Sequence, residues 1–391
     1  MNRLRKILSI LIIFALVLPF GACKKGDEEE VIPADYGDYG AEFARDFASK
    51  YPFRYAYTDG ELQAGKMIED EFEDLGYKVE KQPFAGLNGQ TSYNYYIKIE
   101  GKGFIDQNLK SSDYTVKRVA VIGAHYDTPL SQNEAGLTDY DGISDNASGI
   151  GCLMTCAKEI SNYNDIGFDV YIVAFGAGCD NYTGAKAFYD GLSQSDKDAL
   201  EVMYNFDSIY AGDKMYASSG FNSLNLDQKY KMRRKLYQVY DVAYDKELAS
   251  RNGYSLLYNE SGIYTDLNED TINDVYSEVS LNKSDYVVFD HANVPVVFFD
   301  SYDYFFTSID EMKETKNLNL QQYGGKVRGT TLDSSAVLDP ILVTDESDKL
   351  EVRINNTAFV VLESLMKGSD YGLTYEQYQE ALIEETKEDE E

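Results

Sequence analysis

Residues 116–128, VKRVAVIGAHYDT, and residues 169–177, DVYIVAFGA, decide the fold. Each is a near-continuous apolar run of strand length, and a strand written that way is buried on both faces, as in parallel sheets covered by helices. Around them, helical spacing recurs over Phe43–Ser49, Leu62–Leu75, Ser148–Ile160, Gly184–Leu192, Gln228–Ser250 and Asn355–Lys367, with Gly76 as a stop signal. Lys78–Pro83 and Tyr93–Glu100 alternate like strands, and Glu201–Asp207 and Val294–Asp300 complete the strand set. Gly253–Leu281 is polar and weakly periodic, and reads as an insertion or loop. The expected class is α/β: one domain over residues 41–370, with a mostly parallel central sheet and helices on both faces.

Composition narrows the chemistry. The chain has 391 residues, 67 of them acidic against 36 basic, for a formal charge of −31. That balance argues against DNA or RNA as a partner, because phosphate binding needs clustered Lys and Arg. Only two histidines are present, His125 and His291, so any imidazole-dependent metal or acid–base chemistry has two candidates.

The ends read differently from the middle. Arg3, Arg5 and Lys6 precede an apolar stretch from Ile7 to Phe20, which is short of the roughly 20 residues a membrane-spanning helix needs but right for a signal peptide. Gly21 and Ala22 then precede Cys23, a pattern that resembles a bacterial lipoprotein signal. On that reading residues 1–22 are removed, Cys23 is lipidated, and the protein is exported and tethered to a bacterial membrane. Residues 23–40 form an acidic tether, and residues 371–391 an acidic C-terminal helix and tail, in which Thr374 and Gln377 suit a helix-start capping pair. Cys152, Cys156 and Cys179 remain, an odd number that implies no disulfide framework. Cys152 and Cys156 share a helix face, where small buried apolar residues are the simplest reading.

In open α/β sheets, sites form at the carboxyl ends of strands. His125-Tyr126-Asp127-Thr128 follows the first apolar strand, Asp207 ends EVMYNFD, and Ser144-Asp145-Asn146 leads into the helix at Ser148. One imidazole and two carboxylates converging there suit a zinc ion. Asp127, two residues after His125, suits the carboxylate that holds the other imidazole nitrogen. Singly each piece is weak, since an Asp in a Gly/Ser/Asn turn is often turn chemistry and a strand-ending Asp is often a helix cap. Their order and placement are more specific.

GAHYDT, SDNASGIG, VYIVAFGAGCDNYTGAKAF and NFDSI, in that order, resemble the co-catalytic dizinc aminopeptidases. That family includes leucyl aminopeptidases, glutamate carboxypeptidases and glutaminyl cyclases. YPFRYAYTDGE and VPVVFF also fit, so the similarity spans about Phe43 to Lys367. The resemblance implies that His125 and Asp207 are ligands of the first metal, that Asp145 is the bridging carboxylate, and that Asp127 orients His125. It also exposes losses. Where the family has Glu-Glu, as general base and second-metal ligand, this chain has Gly178-Cys179. Where it has its final His, this chain has Gly329, although the flanking Thr330 and Asp333 remain. Cys179 or Asp180 stands nearby as a substitute ligand. His291 falls five residues after Tyr286, which takes the place of the family's SDH histidine, and a helix C-terminal His favoured by the dipole is its simpler reading.

The expectation is a degenerate, surface-tethered homologue holding one zinc and binding a peptide or surface ligand, as non-enzymatic members such as transferrin receptors show the scaffold can. The alternative is an active exopeptidase with a remodelled site. A glutaminyl cyclase is disfavoured, because those enzymes keep the half of the site that is missing here.

Overall fold

A computed structural model describes residues 32–388 apart from 87, 106–114, 137, 225–226, 259–262, 266–270, 272–273, 277–283, 305–311 and 369–371. The signal segment, Cys23 and most of the tether lie outside the described residues, as does part of the 253–281 insertion. Among the described residues no helix is long and apolar enough to cross a membrane.

The sheet contains β1 (Glu80–Ala85), β2 (Thr91–Ile99), β3 (Val119–His125), β4 (Asp169–Phe175), β5 (Leu200–Phe206), β6 (Lys214–Ser218), β7 (Leu256–Tyr258) and β8 (Val296–Tyr302). Their spatial order is β1-β2-β4-β3-β5-β8-β6-β7. The central four, β4-β3-β5-β8, are all parallel. β6 and β7 are parallel to each other, while β1–β2, β2–β4 and β6–β8 pair antiparallel. Every residue of β3 and β4 is buried, which is why their sequences carry no polar alternation.

Alternate residues of β3 feed two cores. Ala120, Ile122 and Ala124 pack with α1 (Tyr39–Lys50), α2 (Asp59–Asp74), α3 (Ser148–Glu159), α5 (Lys229–Asp245) and α7 (Lys349–Met366) through Phe47, Ile68, Leu153, Leu236 and Ile354. Val119 and Val121 pack with α4 (Thr183–Gly191) and α6 (Tyr286–His291) through Phe188 and Phe289. The expected α/β architecture, with helices on both faces of a mostly parallel sheet, is the one observed. Cys152 and Cys156 are fully buried in α3.

Several boundaries differ from the sequence reading. Val116 is not in β3 but pairs with Phe104 in a separate two-stranded ribbon, and the charged Lys117 and Arg118 separate the two. α5 stops at Asp245 because Glu247 takes a left-handed backbone (φ +54°), and only a short turn of helix follows. α7 starts at Lys349, ahead of Asn355, because the Asp348 carboxylate caps the Leu350 N–H at 2.9 Å. β6, five residues bounded by Asp and Gly-Ser segments, carries too little periodicity to read from sequence. At the C-terminus Thr374 and Gln377 do form the reciprocal cap, at 3.1 and 3.2 Å, of a helix that runs to Glu388. Residues 33–37 join the domain, with the Pro33 and Gly37 carbonyls accepting hydrogen bonds from Asn252 and Asn355.

Candidate metal centre

β3 delivers His125 as its last residue, in register with Phe175 of β4. Beyond it, Asp127 is completely buried and its carboxylate does three things. Oδ1 lies 3.3 Å from His125 Nδ1 and accepts the Gly178 N–H at 2.8 Å, and Oδ2 accepts the Cys179 N–H at 3.0 Å. The Asp127 backbone carbonyl lies 3.2 Å from the same Nδ1, so Asp127 fixes the imidazole through both its main chain and its carboxylate, and also hangs the loop after β4 on the loop after β3.

On the other side of the ring, His125 Nε2 is 3.2 Å from Asp145 Oδ1 and 3.6 Å from Asp207 Oδ2. Asp145 comes from the irregular turn Ile143–Ala147 that opens α3. Its backbone N–H and that of Ser144 are both held by the Asp333 carboxylate, at 3.0 and 2.7 Å. Asp333 thereby has a structural job that explains why it survives beside Gly329. Asp207 follows β5, and its N–H is bonded to Phe299 O of β8 at 3.1 Å. Asn146 Nδ2 ties the two strand ends together, donating to the carbonyls of His125 (3.2 Å) and Phe206 (2.9 Å). His125, Asp145 and Asp207, all buried, present ligand atoms within 4.8 Å of one another.

Two side chains that sequence reasoning passed over build this site. Arg54 is fully buried, and its guanidinium donates to the carbonyls of Tyr51 (3.1 Å), Tyr126, Asp141 and Gly142 (each 2.7 Å). One side chain therefore spaces the loop carrying Asp127 from the turn carrying Asp145. Glu61, at the start of α2, accepts from Tyr57 N–H, Ser92 Oγ and Ala177 N–H, fixing the chain just ahead of Gly178. Burial, with Asp127 adding to it, pushes the Glu61 carboxyl up to about 8.

Arg328 is the third surprise. Its N–H bonds both Glu314 carboxylate oxygens at 3.1 Å, and its side chain turns into the centre. There the guanidinium contacts Asp207, and its Nε lies 3.6 Å from Asp145 Oδ2. Despite burial, Arg328 and then His125 hold the Asp145 carboxyl down at about 2. Burial acts to lower the His125 imidazole, but Cys179, Asp127 and Asp145 together raise it well above its ordinary value. The sequence signal was a cation beside the glycine that replaces a ligand.

The substitute ligands fare unequally. Cys179 Sγ is 4.0 Å from His125 Nδ1 and 3.9 Å from Asp127 O, on the opposite side of the ring from Asp145 and Asp207. Desolvation and the Asp127 carboxylate raise its thiol. Asp180 is turned away, accepting the Tyr57 hydroxyl at 2.7 Å. His291 is the exposed last residue of α6, outside the centre.

The donor chemistry of His125, Asp145 and Asp207 suits a cation. His125 Nε2 and the buried Asp145 Oδ1 are close yet not hydrogen-bonded, as two donors aimed at a common point would be. Among the described residues the other group of candidate donors is His125, Asp127 and Cys179. At Gly178 a Cβ would fall 2.3 Å from His125 Cβ, so the His125 side chain already fills that space. Gly329 is different: a Cβ there meets nothing nearer than Pro129 at 3.9 Å, although its φ of +62° disfavours a side chain. His125, Asp145, Asp207, Cys179 and Arg328 border a cavity of about 350 Å³. A neighbouring cavity of about 470 Å³, walled by Tyr55 and Tyr57, shares Pro129 and Cys179 with it.

The sequence model of peptidase family M28 matches residues 107–330. The alkaline phosphatase isozyme conversion protein of Escherichia coli (strain K12) is 26% identical over 195 residues, 47% of this chain and 54% of that protein. The chain thus spans about half the length of the curated relative it matches. Among solved structures, an aminopeptidase from Aneurinibacillus sp. strain AM-1 superposes with a TM-score of 0.55 at 14% identity, covering 87% of this chain and 97% of its own. The zinc aminopeptidase BSAP of Bacillus subtilis gives 0.53 at 12% identity, covering 86% and 96%. An Acidobacteriales bacterium glutaminyl cyclase gives 0.56 at 14%, covering 88% and 97%. At these identities the superpositions show a shared fold, and the family match makes the assignment: the chain belongs to peptidase family M28.

Proposed function

We propose that this chain is an exported lipoprotein whose M28 domain holds one zinc at most and binds a peptide or surface ligand without hydrolysing it. The observation that carries the reading is Gly178. The position expected to supply the general base has no side chain, and the backbone there stands against His125 too closely to admit one. Losing a positioned general base removes about 10²- to 10⁴-fold of rate. A bound zinc would supply Lewis-acid polarisation of a carbonyl, with His125, Asp145 and Asp207 as its holders and Asp127 orienting His125. Of the two residues nearest that place, Gly178 has no group to take the proton of an attacking water, and Asp180 is engaged by Tyr57. Cys23, lipidated, would anchor the domain to the membrane.

A second reading, an exopeptidase with a remodelled site, draws on Cys179, whose sulfur lies beside His125 and Asp127. Zinc analysis and leucyl-anilide assay of residues 24–391 separate the two. At most one zinc per chain and no turnover are expected. Two zincs, with turnover abolished by Asp207→Ala, would establish the second reading instead.

A further inference from the structure

We propose that Arg328 is an internal competitor for the cation position, so that zinc enters the half-site only by displacing its guanidinium. The inference rests on the one-cation reading above and goes beyond it. Asp145 and Asp207 are buried carboxylates, 8% and 2% exposed, and such groups need a compensating positive charge. The Arg328 guanidinium touches Asp207 and reaches Asp145, the two carboxylates that with His125 would hold a metal. Its backbone is fixed for this purpose by the two bonds from Arg328 N–H to Glu314, with Gly329 turning the chain immediately after. The loop that lacks a ligand histidine at 329 therefore carries a permanent cation at 328, and an arginine stays charged at any working pH.

Arg328 faces Asp145 Oδ2 and Asp207 Oδ1 while His125 Nε2 faces Asp145 Oδ1 and Asp207 Oδ2, so a dication beside His125 and the guanidinium would draw on the same two carboxylates and repel one another at close range. Arg328 has an exit, since its side chain is 13% exposed and borders the open cavity. Zinc affinity should therefore be set partly by the displacement of Arg328. Removing the charge should tighten binding, and keeping the charge on a lysine should preserve the competition.

The test is zinc titration of the full chain against a chromogenic chelator, for the wild type, Arg328→Gln and Arg328→Lys, each with Asp207→Ala as a control for the site. Arg328→Gln should bind zinc at least tenfold more tightly than the wild type, with Arg328→Lys closer to the wild type and the Asp207→Ala versions losing that binding. A second measurement needs no variant: zinc at saturating concentration should speed modification of Arg328 by phenylglyoxal, read by peptide mass spectrometry. Equal or weaker zinc binding by a folded Arg328→Gln, or zinc protection of Arg328 from phenylglyoxal, overturns the competition and leaves the half-site intact. Absence of zinc binding from all three proteins overturns the half-site reading and the competition together.

Discussion

Putting a glutamate back at position 178 should damage this protein rather than revive it. The Cβ of any residue there would lie 2.3 Å from His125 Cβ and 2.7 Å from His125 Cγ. Carbon atoms pack at about 3.5–4.0 Å, so the chain or the imidazole must move by about 1 Å or more. Neither is free to do so. Gly178 and Cys179 are tied by their N–H groups to Asp127 at 2.8 and 3.0 Å, and the same carboxylate holds His125. Overpacking costs about 1–3 kcal/mol, and weakening two hydrogen bonds to a charged group adds about as much again. A total of about 2–6 kcal/mol corresponds to a fall in Tm of roughly 3–9 °C for a domain of this size. The variant to make is Gly178→Glu with Cys179→Glu and Gly329→His, compared with Cys179→Glu and Gly329→His alone. Calorimetry should show the additional loss only when position 178 is changed, and leucyl-p-nitroanilide should remain uncleaved by both. A triple variant with wild-type Tm and measurable turnover would refute the reasoning, because it would mean that the loop opens at little cost.

Two further outcomes follow from buried charges. Arg54→Met should destabilise the domain by about 3–5 kcal/mol, because it strands buried carbonyls on two site loops, and a urea midpoint corresponding to less than about 1 kcal/mol would show that those carbonyls find other partners. Asp285, completely buried with neither carboxylate oxygen hydrogen-bonded, is raised to about 7 by burial, with Asp127 and Asp145 adding and His125 opposing. Since its folded value lies above the unfolded one, its neutral form is favoured in the native state. The stability it contributes is present below about pH 4 and is lost as pH rises through about 7. In metal-free protein, Asp285→Asn should therefore gain on the wild type as pH rises from about 4.5 to 8, by on the order of 2–4 kcal/mol, and a gap that stays constant across parallel melts would contradict the assignment.

What could be read from sequence here divides by the range of the interactions. β3 and β4 were legible because burial on both faces writes itself into consecutive residues. Strand-end placement then made His125, Asp145 and Asp207 natural neighbours, and the structure brings them within reach of one another. β6 was not legible, because five residues added at the side of a sheet carry little pattern of their own. Arg54 and Arg328 escaped for another reason. Their roles depend on partners 72 or more residues away for Arg54's bonds to Tyr126, Asp141 and Gly142, and on the fold's closure for Arg328. The replacement at 178 was visible as a missing carboxylate, but its crowding against His125 belongs to the backbone and has no signature in composition.

Cys179 gives the centre a practical handle. Among the described cysteines it alone is exposed, while Cys152 and Cys156 are sealed inside α3, and it borders both cavities. An environment-sensitive dye attached there would stand at the junction between the half-site and the tyrosine-walled hollow, without engineered cysteines in residues 24–391. Its raised thiol means that coupling should quicken as the buffer is made more alkaline. Libraries of peptides and surface glycans could then be screened by fluorescence, which reads binding whether or not turnover follows.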